Sequence, residues 1–273
     1  ATLSTSTLSV GSHSLTVQYG GDSTFASSTS SALSQTVNKV DQTITFGTLA
    51  NKTWGDQAFP ISATASSTLA VSFSVVSGPA TISNNTVTIT GAGTVKIRAA
   101  QAGDASYNAA TDVDQTFTVS KATVTVTAAD KSKTYGDANP ALTYTYSGFV
   151  NSETAAVLSG TPSVTTTATT ASGVGNYTIT SAVGTLAASN YQFSFVNGTL
   201  AVNPATLTVT ADSKTKIYGA ANPTFTASYS GFVNNETASV LSGVPDLTTT
   251  ATTASGAANY TITAAVGTLS ASN

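Results

Sequence analysis

Hydrophobic and polar residues alternate with a period of two along most of the chain. The pattern is clearest where an aliphatic residue alternates with threonine, as in Leu15–Val17, Val87–Thr90, Thr123–Thr127 and Thr206–Thr210. Successive side chains of a β-strand point to opposite faces, so the alternation predicts short strands with one buried face. Gly, Asn, Asp or Pro interrupts the pattern about every 8 to 12 residues, which is typical of stacked antiparallel sheets. The sequence therefore predicts an all-β fold.

One kind of segment departs from this period, and it occurs twice. Asn151–Gly160 and Asn234–Gly243 each begin with Asn, offer an Asn or Ser as N-cap, continue with a Glu and Ala-rich residues, and end in Gly. These residues are start and stop signals for a helix, so we predict a short helix of about two turns in each segment. Strands combined with one short helix would also fit a β-grasp topology, which is the alternative to a pure β-sandwich here.

A long internal repeat organises the second half of the chain. Residues 121–190 align without a gap to residues 204–273, and 50 of these 70 positions are identical. Self-similarity at a fixed period, here 83 residues, indicates a tandem array. A unit of about 80 residues buries only roughly 60 to 65% of its unfolded surface, which leaves little room for an internal active-site cavity.

Shorter matches extend the array toward the N-terminus. Lys52–Asp56 parallels Lys133–Asp137, and Gly21–Ala26 parallels Gly103–Asn108. We therefore predict four serial β-domains with short junctions, of which the first is the C-terminal part of a repeat and the second and third are complete. Their ranges are 1–40, 41–120, 121–203 and 204–273.

The last domain is predicted to lack a hairpin. Asn273 aligns with Asn190, and the first 83-residue repeat continues through a predicted hairpin at Tyr191–Val202. An unpaired sheet edge is an aggregation hazard. We expect the native chain to continue, or a neighbouring chain to supply the strands.

Charge excludes several classes of partner. The chain of 273 residues has 9 basic and 12 acidic residues, with a net charge of −3. The cations are scattered, whereas binding to nucleic acid or to anionic lipid needs clustered Lys and Arg. No apolar run approaches the roughly 20 residues of a spanning helix, so we expect no membrane insertion in this segment.

The sequence gives little support for catalysis. The chain has no cysteine, which excludes disulfides, thiolate zinc sites and thiol nucleophiles. The single histidine, His13, lies in a predicted turn or strand start, and we interpret it as solvated rather than as part of a triad or zinc site. We predict no catalytic, cofactor-binding or metal-ligating residues and no enzyme activity.

Acidic residues offer one alternative to the absence of a cofactor. Asp112 and Asp114 would share a face of a strand and could bind Ca²⁺, although no third carboxylate lies nearby in the sequence. Asp22, Asp104 and Asp137 lie beside Gly in predicted turns, where Asp commonly accepts hydrogen bonds from local backbone amides.

An aromatic residue followed by glycine recurs near the start of three domains, as Trp54–Gly55, Tyr135–Gly136 and Tyr218–Gly219. Exposed rings of this kind could stack on sugars. We prefer a packing role, in which Gly supplies a positive φ while the ring covers the core or wedges against the preceding domain.

Glu153 and Glu236 recur at equivalent positions of the two long repeats. We assign them to the favourable dipole of a helix N-terminus. The alternative is a self-formed isopeptide crosslink that involves Lys131 and Lys214 or an Asn.

Two family resemblances cover the chain. The turns Gly21–Phe25 and Gly103–Tyr107, each followed by a Gln-Thr strand, resemble the ends of bacterial Ig-like repeats, so residues 1–40 and 41–120 are similar to that family. The motifs Tyr135–Asp137 and Tyr218–Ala220, followed by Asn-Pro and Ser-Gly-Phe, resemble MBG repeats of the Tyr-Gly-x type.

The resemblance implies tandem Ig-like sandwiches in the stalk of a long secreted adhesin at the bacterial cell surface, with neighbouring repeats as the main partners. One alternative is a self-assembling extracellular filament or sheath built from identical chains. Another is a carbohydrate-binding module that contacts surface glycans through Trp54, Tyr135 and Tyr218.

Overall fold

The computed structural model describes residues 2–273. Within them lie 24 short strands and two single-turn 3₁₀ helices, so the all-β prediction is confirmed. Two compact units divide the chain. The first reaches Thr123 and adds Phe149–Glu153 and Ala188–Gln192, and the second comprises Val124–Gly148, Thr154–Ala187 and Phe193–Asn273.

The first unit contains strands of two to eight residues. They are β1 (Gly11–Leu15), β2 (Gln18–Tyr19), β3 (Ser28–Thr29), β4 (Leu33–Val37), β5 (Ile44–Phe46), β6 (Lys52–Thr53), β7 (Phe59–Pro60), β8 (Ala63–Ala65), β9 (Ser72–Ser77), β10 (Ala80–Ser83), β11 (Thr86–Ile89), β12 (Gly93–Ala100) and β13 (Val113–Ser120).

The strands before residue 40 form two ribbons, β1 with β4 and β2 with β3, both antiparallel. Residues 2–40 contain no buried side chain. The alternation at Leu15–Val17 is only partly realised there, because β1 ends at Leu15 and the side chain of Val17 is 62% exposed. A two-stranded ribbon has no second layer to bury one face, which accounts for the difference.

The core of the first unit lies among residues 41–120. Its sheets have the orders β6-β13-β12-β9 and β10-β11-β7, with β5 paired to β8. Strand β12 pairs antiparallel with β13 and alternates as predicted, since Val95, Ile97 and Ala99 are fully buried. They pack in one cluster with Phe117 and other apolar side chains of the neighbouring strands. Burying a side chain as large as that of Val95 or Ile97 stabilises the fold by about 1.5 to 3 kcal/mol.

The later strands belong mainly to the second unit, although β14 and β19 begin in the first. They are β14 (Ala122–Ala128), β15 (Lys131–Thr134), β16 (Tyr144–Ser147), β17 (Ser163–Thr166), β18 (Gly175–Ala182), β19 (Tyr191–Val196), β20 (Gly198–Asn203), β21 (Thr208–Ala211), β22 (Ala227–Ser230), β23 (Asp246–Thr249) and β24 (Ile262–Ala265).

Two sheets build the first 83-residue repeat. Their orders are β16-β14-β19 and β15-β20-β18-β17, and β15 runs parallel to β20. Ala128 of the first sheet packs against Ile179 and Leu200 of the second, so the inner faces of the sheets form a shared core. The buried Val124 and Val126 confirm the alternation predicted for Thr123–Thr127.

The last repeat contains fewer paired strands. Its ribbons are β21 with β22 and β23 with β24, both antiparallel. The alternation predicted over Thr206–Thr210 appears in β21, which begins at Thr208. Among the described residues no strand pairs with 214–217, whereas the equivalent β15 pairs with β20. A cleft of about 620 Å³ lies beside this segment, lined by residues that include Lys216, Tyr218, Phe225 and Ile262.

The helix predicted in each long repeat is much shorter than expected. Only Ala155–Val157 and Ala238–Val240 are helical, each as one 3₁₀ turn. Asn151 and Ser152 both have positive φ, near +54° and +59°, where a right-handed helix cannot begin. The 3₁₀ turn is capped instead by Thr154, whose hydroxyl accepts from the Ala156 amide. A helix that could cover a sheet, as in a β-grasp topology, is therefore not present in either segment.

Candidate functional site

The aromatic–glycine step at Trp54 follows directly on strand β6. The Asp56 amide donates to the Thr53 carbonyl (3.0 Å) and closes a turn. Gly55 has a φ of +101°, which confirms the positive φ predicted for this glycine. The turn directs the half-buried Trp54 indole toward Glu153, and Nε1 donates to Oε2 of that residue (3.1 Å).

Glu153 is presented by a four-residue turn, Val150–Glu153. Its amide donates to the Val150 carbonyl (3.0 Å), and both central residues have positive φ, which identifies a type I′ turn. The turn also brings Val150 against Gly55, where an added Cβ would lie 2.8 Å from the Val150 Cβ. Only glycine at position 55 permits this approach. All these residues belong to the first unit.

Tyr191 contacts the same carboxylate oxygen, Oε2 of Glu153. Its hydroxyl donates to Glu153, and its side chain is only 2% exposed. Burial, followed by the hydrogen bond to Glu153, raises the pKa of Tyr191 above its usual value, because a phenolate would lose water and face a negative charge. Tyr191 therefore remains a neutral donor, and Glu153 accepts from both an indole and a phenol.

A second contact of the first unit involves Asn190. The Asn190 Oδ1 accepts a hydrogen bond from the Ala92 amide (3.0 Å), close to Gly91. An added Cβ at Gly91 would lie 3.2 Å from this Oδ1, so a larger residue would crowd the contact. Trp54–Gly55 and Gly91–Ala92 thus bind the segment that follows them through two separate anchors.

The same two anchors recur inside the second unit. Tyr135 is 6% exposed, and its hydroxyl donates to Oε1 of Glu236 (2.7 Å). An added Cβ at Gly136 would lie 2.6 Å from the Cβ of Val233.

The turn that carries this second glutamate has the same form. Asn234 and Asn235 both have positive φ, and the Glu236 amide donates to the Val233 carbonyl (2.9 Å). The other anchor is repeated by Asn273, whose Oδ1 accepts from the Val174 amide (3.0 Å).

We call this set of two anchors the clamp. Its first anchor joins an aromatic–glycine step to a turn with the sequence Val-Asn-(Ser/Asn)-Glu, and its second joins a backbone amide to an asparagine. The contacts can fix the relative positions of two chain segments.

The third aromatic–glycine step makes no equivalent contact among the described residues. Tyr218 is 72% exposed, and no atom lies within 4 Å of a Cβ added at Gly219. The Gly219 amide donates instead to Thr253 of the same repeat (3.2 Å). Of the three aromatic residues singled out in the sequence, Trp54 and Tyr135 contact a glutamate and Tyr218 does not.

The role assigned to Glu153 and Glu236 from sequence is wrong. Neither 3₁₀ turn has an acidic residue in its first turn, because each glutamate precedes the turn and belongs to the type I′ turn. Sequence reasoning missed their hydrogen bonds to the aromatic side chains of a preceding segment. The available signal was the joint recurrence of the aromatic–glycine step with the Val-Asn-(Ser/Asn)-Glu motif that follows it about 100 residues later.

Asp112 and Asp114 bind cations of the protein itself. Arg98 donates to both carboxylate oxygens of Asp114 (2.8 and 3.1 Å) and lies 3.4 Å from Asp112, while Lys96 lies 3.4 Å from Asp114. The hydrogen bond from Arg98 is the main reason that the pKa of Asp114 lies below its usual range. A Ca²⁺ ion at this pair would compete with the guanidinium.

The remaining candidates have local roles. Asp22 accepts from the Thr24 and Phe25 amides, and Asp104 accepts from the Ser106 and Tyr107 amides, as predicted for turn aspartates. His13 lies in β1, and its Nε2 contacts the Ser9 carbonyl (2.6 Å). Among residues 2–273 no three acidic or histidine side chains gather as a metal site would require. In the same range no helix is long and apolar enough to cross a membrane.

Comparison with known structures shows a weak similarity to a cadherin. The Drosophila N-cadherin EC1-4 crystal structure is 10% identical, with a TM-score of 0.28, over 71% of this chain and 57% of that one. The chain thus spans little more than half of that structure, and the superposition is too loose to inform the fold or function. No curated protein matches the sequence.

Comparison with protein families is more informative. Residues 1–38 match the bacterial Ig-like domain (group 3), and residues 124–201 and 207–273 match the MBG domain (YGX type). The Ig-like assignment of residues 41–120 and the domain boundaries remain predictions. Both matched families are non-catalytic repeat types that are typical of bacterial surface proteins. The chain therefore belongs to the MBG (YGX type) family, with a bacterial Ig-like domain preceding its MBG repeats.

Proposed function

We propose that the chain is a non-catalytic segment of the extended stalk of a bacterial adhesin or related surface protein, located outside the cell. The observation that carries this proposal is the recurrence of the clamp. Trp54 donates a hydrogen bond to Glu153, and Tyr135 donates one to Glu236. In both places a valine of the glutamate turn packs against the glycine that follows the aromatic residue. A contact that recurs with the repeat serves the array rather than a single binding site.

Short covalent connections support the same function. Strand β13 ends at Ser120 and β14 begins at Ala122, so one residue separates them. Strand β20 ends at Asn203, and Pro204 follows with a fixed φ that also restricts the residue before it. A short linker together with a two-anchor clamp would limit bending at each junction, as a projecting stalk requires.

The chemistry of the clamp suits a permanent junction. Hydrogen bonds to a charged group contribute about 1.5 to 3 kcal/mol each, more than those between neutral groups. The carboxylates of Glu153 and Glu236 lie in half-buried positions, where such bonds are less weakened by water. The valine–glycine contact adds shape selectivity, because any side chain at the glycine would displace the turn.

Sugar binding through the aromatic residues has less support. A ring that stacks on a sugar must offer an open face, yet Tyr135 is buried and the Trp54 indole is half-buried and bonded to Glu153. Only Tyr218 presents an exposed ring among these three residues.

The proposal is tested by the width of the distance distribution across one clamp. The chain has no cysteine, so Thr165→Cys and Thr248→Cys, at equivalent exposed positions of the two MBG repeats, provide two unique spin-label sites. Pulsed electron paramagnetic resonance should give a narrow distribution for this labelled protein. Glu236→Ala should broaden it, because Tyr135 loses its acceptor.

Glu153→Ala is the matched control, because it removes the equivalent carboxylate from the other clamp. It should leave the distribution between positions 165 and 248 unchanged. A distribution that is already broad before Glu236 is replaced would contradict the proposal of a stiff stalk.

A further inference from the structure

We propose that the last repeat carries a docking face for another repeat of the same type, formed by Tyr218–Gly219 and Gly256–Ala257. We call it the open face. The occupant is an MBG-type repeat, joined in tandem, that presents a Val-Asn-(Ser/Asn)-Glu turn and an asparagine. This inference rests on the proposed function and names the partner that the clamp recognises.

The first anchor of the open face has the correct chemistry and is unoccupied. Tyr218 occupies the position in its repeat that Tyr135 occupies in the preceding repeat, but Tyr218 is 72% exposed whereas Tyr135 is buried. Gly219 has a φ of +82°, close to the +89° of Gly136, so the step has the same backbone form. No atom lies within 4 Å of a Cβ added at Gly219, so the space that Val233 occupies beside Gly136 is open here.

The second anchor points independently to the same partner. Gly256 aligns with Gly173, and the Val174 amide beside Gly173 binds Asn273. A Cβ added at Gly173 would lie 2.8 Å from Oδ1 of Asn273, whereas one added at Gly256 meets no atom within 4 Å. Both anchors of the clamp are therefore open on the same repeat.

The occupant is not a second folded copy of this chain. The turn Val150–Glu153 is already bound at Trp54–Gly55, and the turn ending in Glu236 is already bound at Tyr135–Gly136. Among residues 2–273 no further Val-Asn-(Ser/Asn)-Glu turn is available. The partner must therefore bring a turn that is still free.

The backbone of the step also favours a tandem partner. The Tyr135 amide donates to the Asn203 carbonyl (2.8 Å) at the end of β20, which holds the step in place. Tyr218 needs the same support from a strand equivalent to β20. In a segment that follows in the register of the repeat, the equivalent of β20 comes first and the next Val-Asn-(Ser/Asn)-Glu turn comes after it. A tandem repeat would therefore supply both.

The test uses the full chain extended by a second copy of residues 191–273. Since Asn273 aligns with Asn190, this fusion keeps the 83-residue register, supplies a β20 equivalent and presents one free turn. The protein is labelled with fluorotyrosine, and the ¹⁹F resonances of Tyr135 and Tyr218 are assigned with Tyr→Phe variants. The shift of each resonance between H₂O and D₂O measures its exposure.

In the unextended chain, the Tyr218 resonance should show a large solvent shift and Tyr135 a small one. In the extended chain, the Tyr218 shift should fall to about that of Tyr135. Glu236→Ala in the appended copy alone should restore exposure of Tyr218. Gly256→Val should do the same, since it places a side chain where the asparagine would dock.

Gly256 has no positive φ, so its valine variant should leave the unextended chain unchanged and serves as a check on folding. If Tyr135 is protected while Tyr218 stays exposed in the extended chain, the proposal that a further repeat docks on the open face is wrong, whereas the clamp at Tyr135 and the proposed function are retained. If both tyrosines are exposed, the clamp and the proposed function fail together.

Discussion

At the scale of single residues, the clamp depends on neutral donors that face one carboxylate. Tyr191 is buried, and its hydroxyl and the Trp54 indole both donate to Glu153. The raised pKa of Tyr191 means that the folded state holds the phenol proton more tightly than the unfolded chain does. The clamp should therefore be sensitive to alkaline pH.

The sign of this dependence follows from proton binding. The unfolded tyrosine has a pKa near 10, and the folded value lies above it. The stability from neutral Tyr191 is fully present below about pH 10 and is lost as pH rises through the folded pKa. The fluorescence of Trp54, the only tryptophan, should report this loss, and Tyr191→Phe should remove that part of the alkaline transition. An identical alkaline curve for Tyr191→Phe would contradict the assignment, and Tyr260→Phe in the second unit is the control.

At the scale of elements, two turns meet in each clamp. The aromatic–glycine turn supplies a surface without a side chain, and the type I′ turn inserts a valine there. Two asparagines, or an asparagine and a serine, occupy the positive-φ positions of the type I′ turn. Asparagine tolerates this conformation better than most residues, which explains its presence at the start of both turns.

Gly136→Ala and Gly219→Ala separate two requirements for glycine, the positive φ and the close approach of a valine side chain. Both positions have positive φ, so each alanine should destabilise its repeat by about 1 to 2 kcal/mol through backbone strain. Gly136→Ala should lower the free energy of unfolding of its repeat by about 1 to 3 kcal/mol more, because the added Cβ would overlap Val233 and overpack the contact. Native-state hydrogen exchange of each repeat measures the two losses. Equal losses would show that the Val233 contact contributes nothing.

The strands could be predicted from sequence because period-two alternation needs only local information, as β12 and β14 show. The segment Asn151–Gly160 was predicted wrongly, since Asn, Ser, Glu and Ala suit a helix start and a type I′ turn equally well. The choice between them depends on the neighbouring Gly55 and Trp54, which lie about 100 residues away. Local patterns identify Trp54, Tyr135 and Tyr218 as candidates, but they do not predict the clamp, because its partners lie about 100 residues away along the chain.

At the scale of the whole molecule, the chain is a modular array in which each MBG repeat offers one aromatic–glycine step and one glutamate turn. We expect units of about 80 residues to be compact bodies roughly 30 to 40 Å across. The competing account is a filament in which identical chains pair along open sheet edges.

Electron microscopy of the native protein that carries this segment tests the stalk most directly. A stalk should appear as isolated thin threads with beads spaced about 30 to 40 Å apart, without regular contacts between threads. An ordered fibre with repeating lateral contacts and helical symmetry would contradict it and assign the chain to a self-assembling filament.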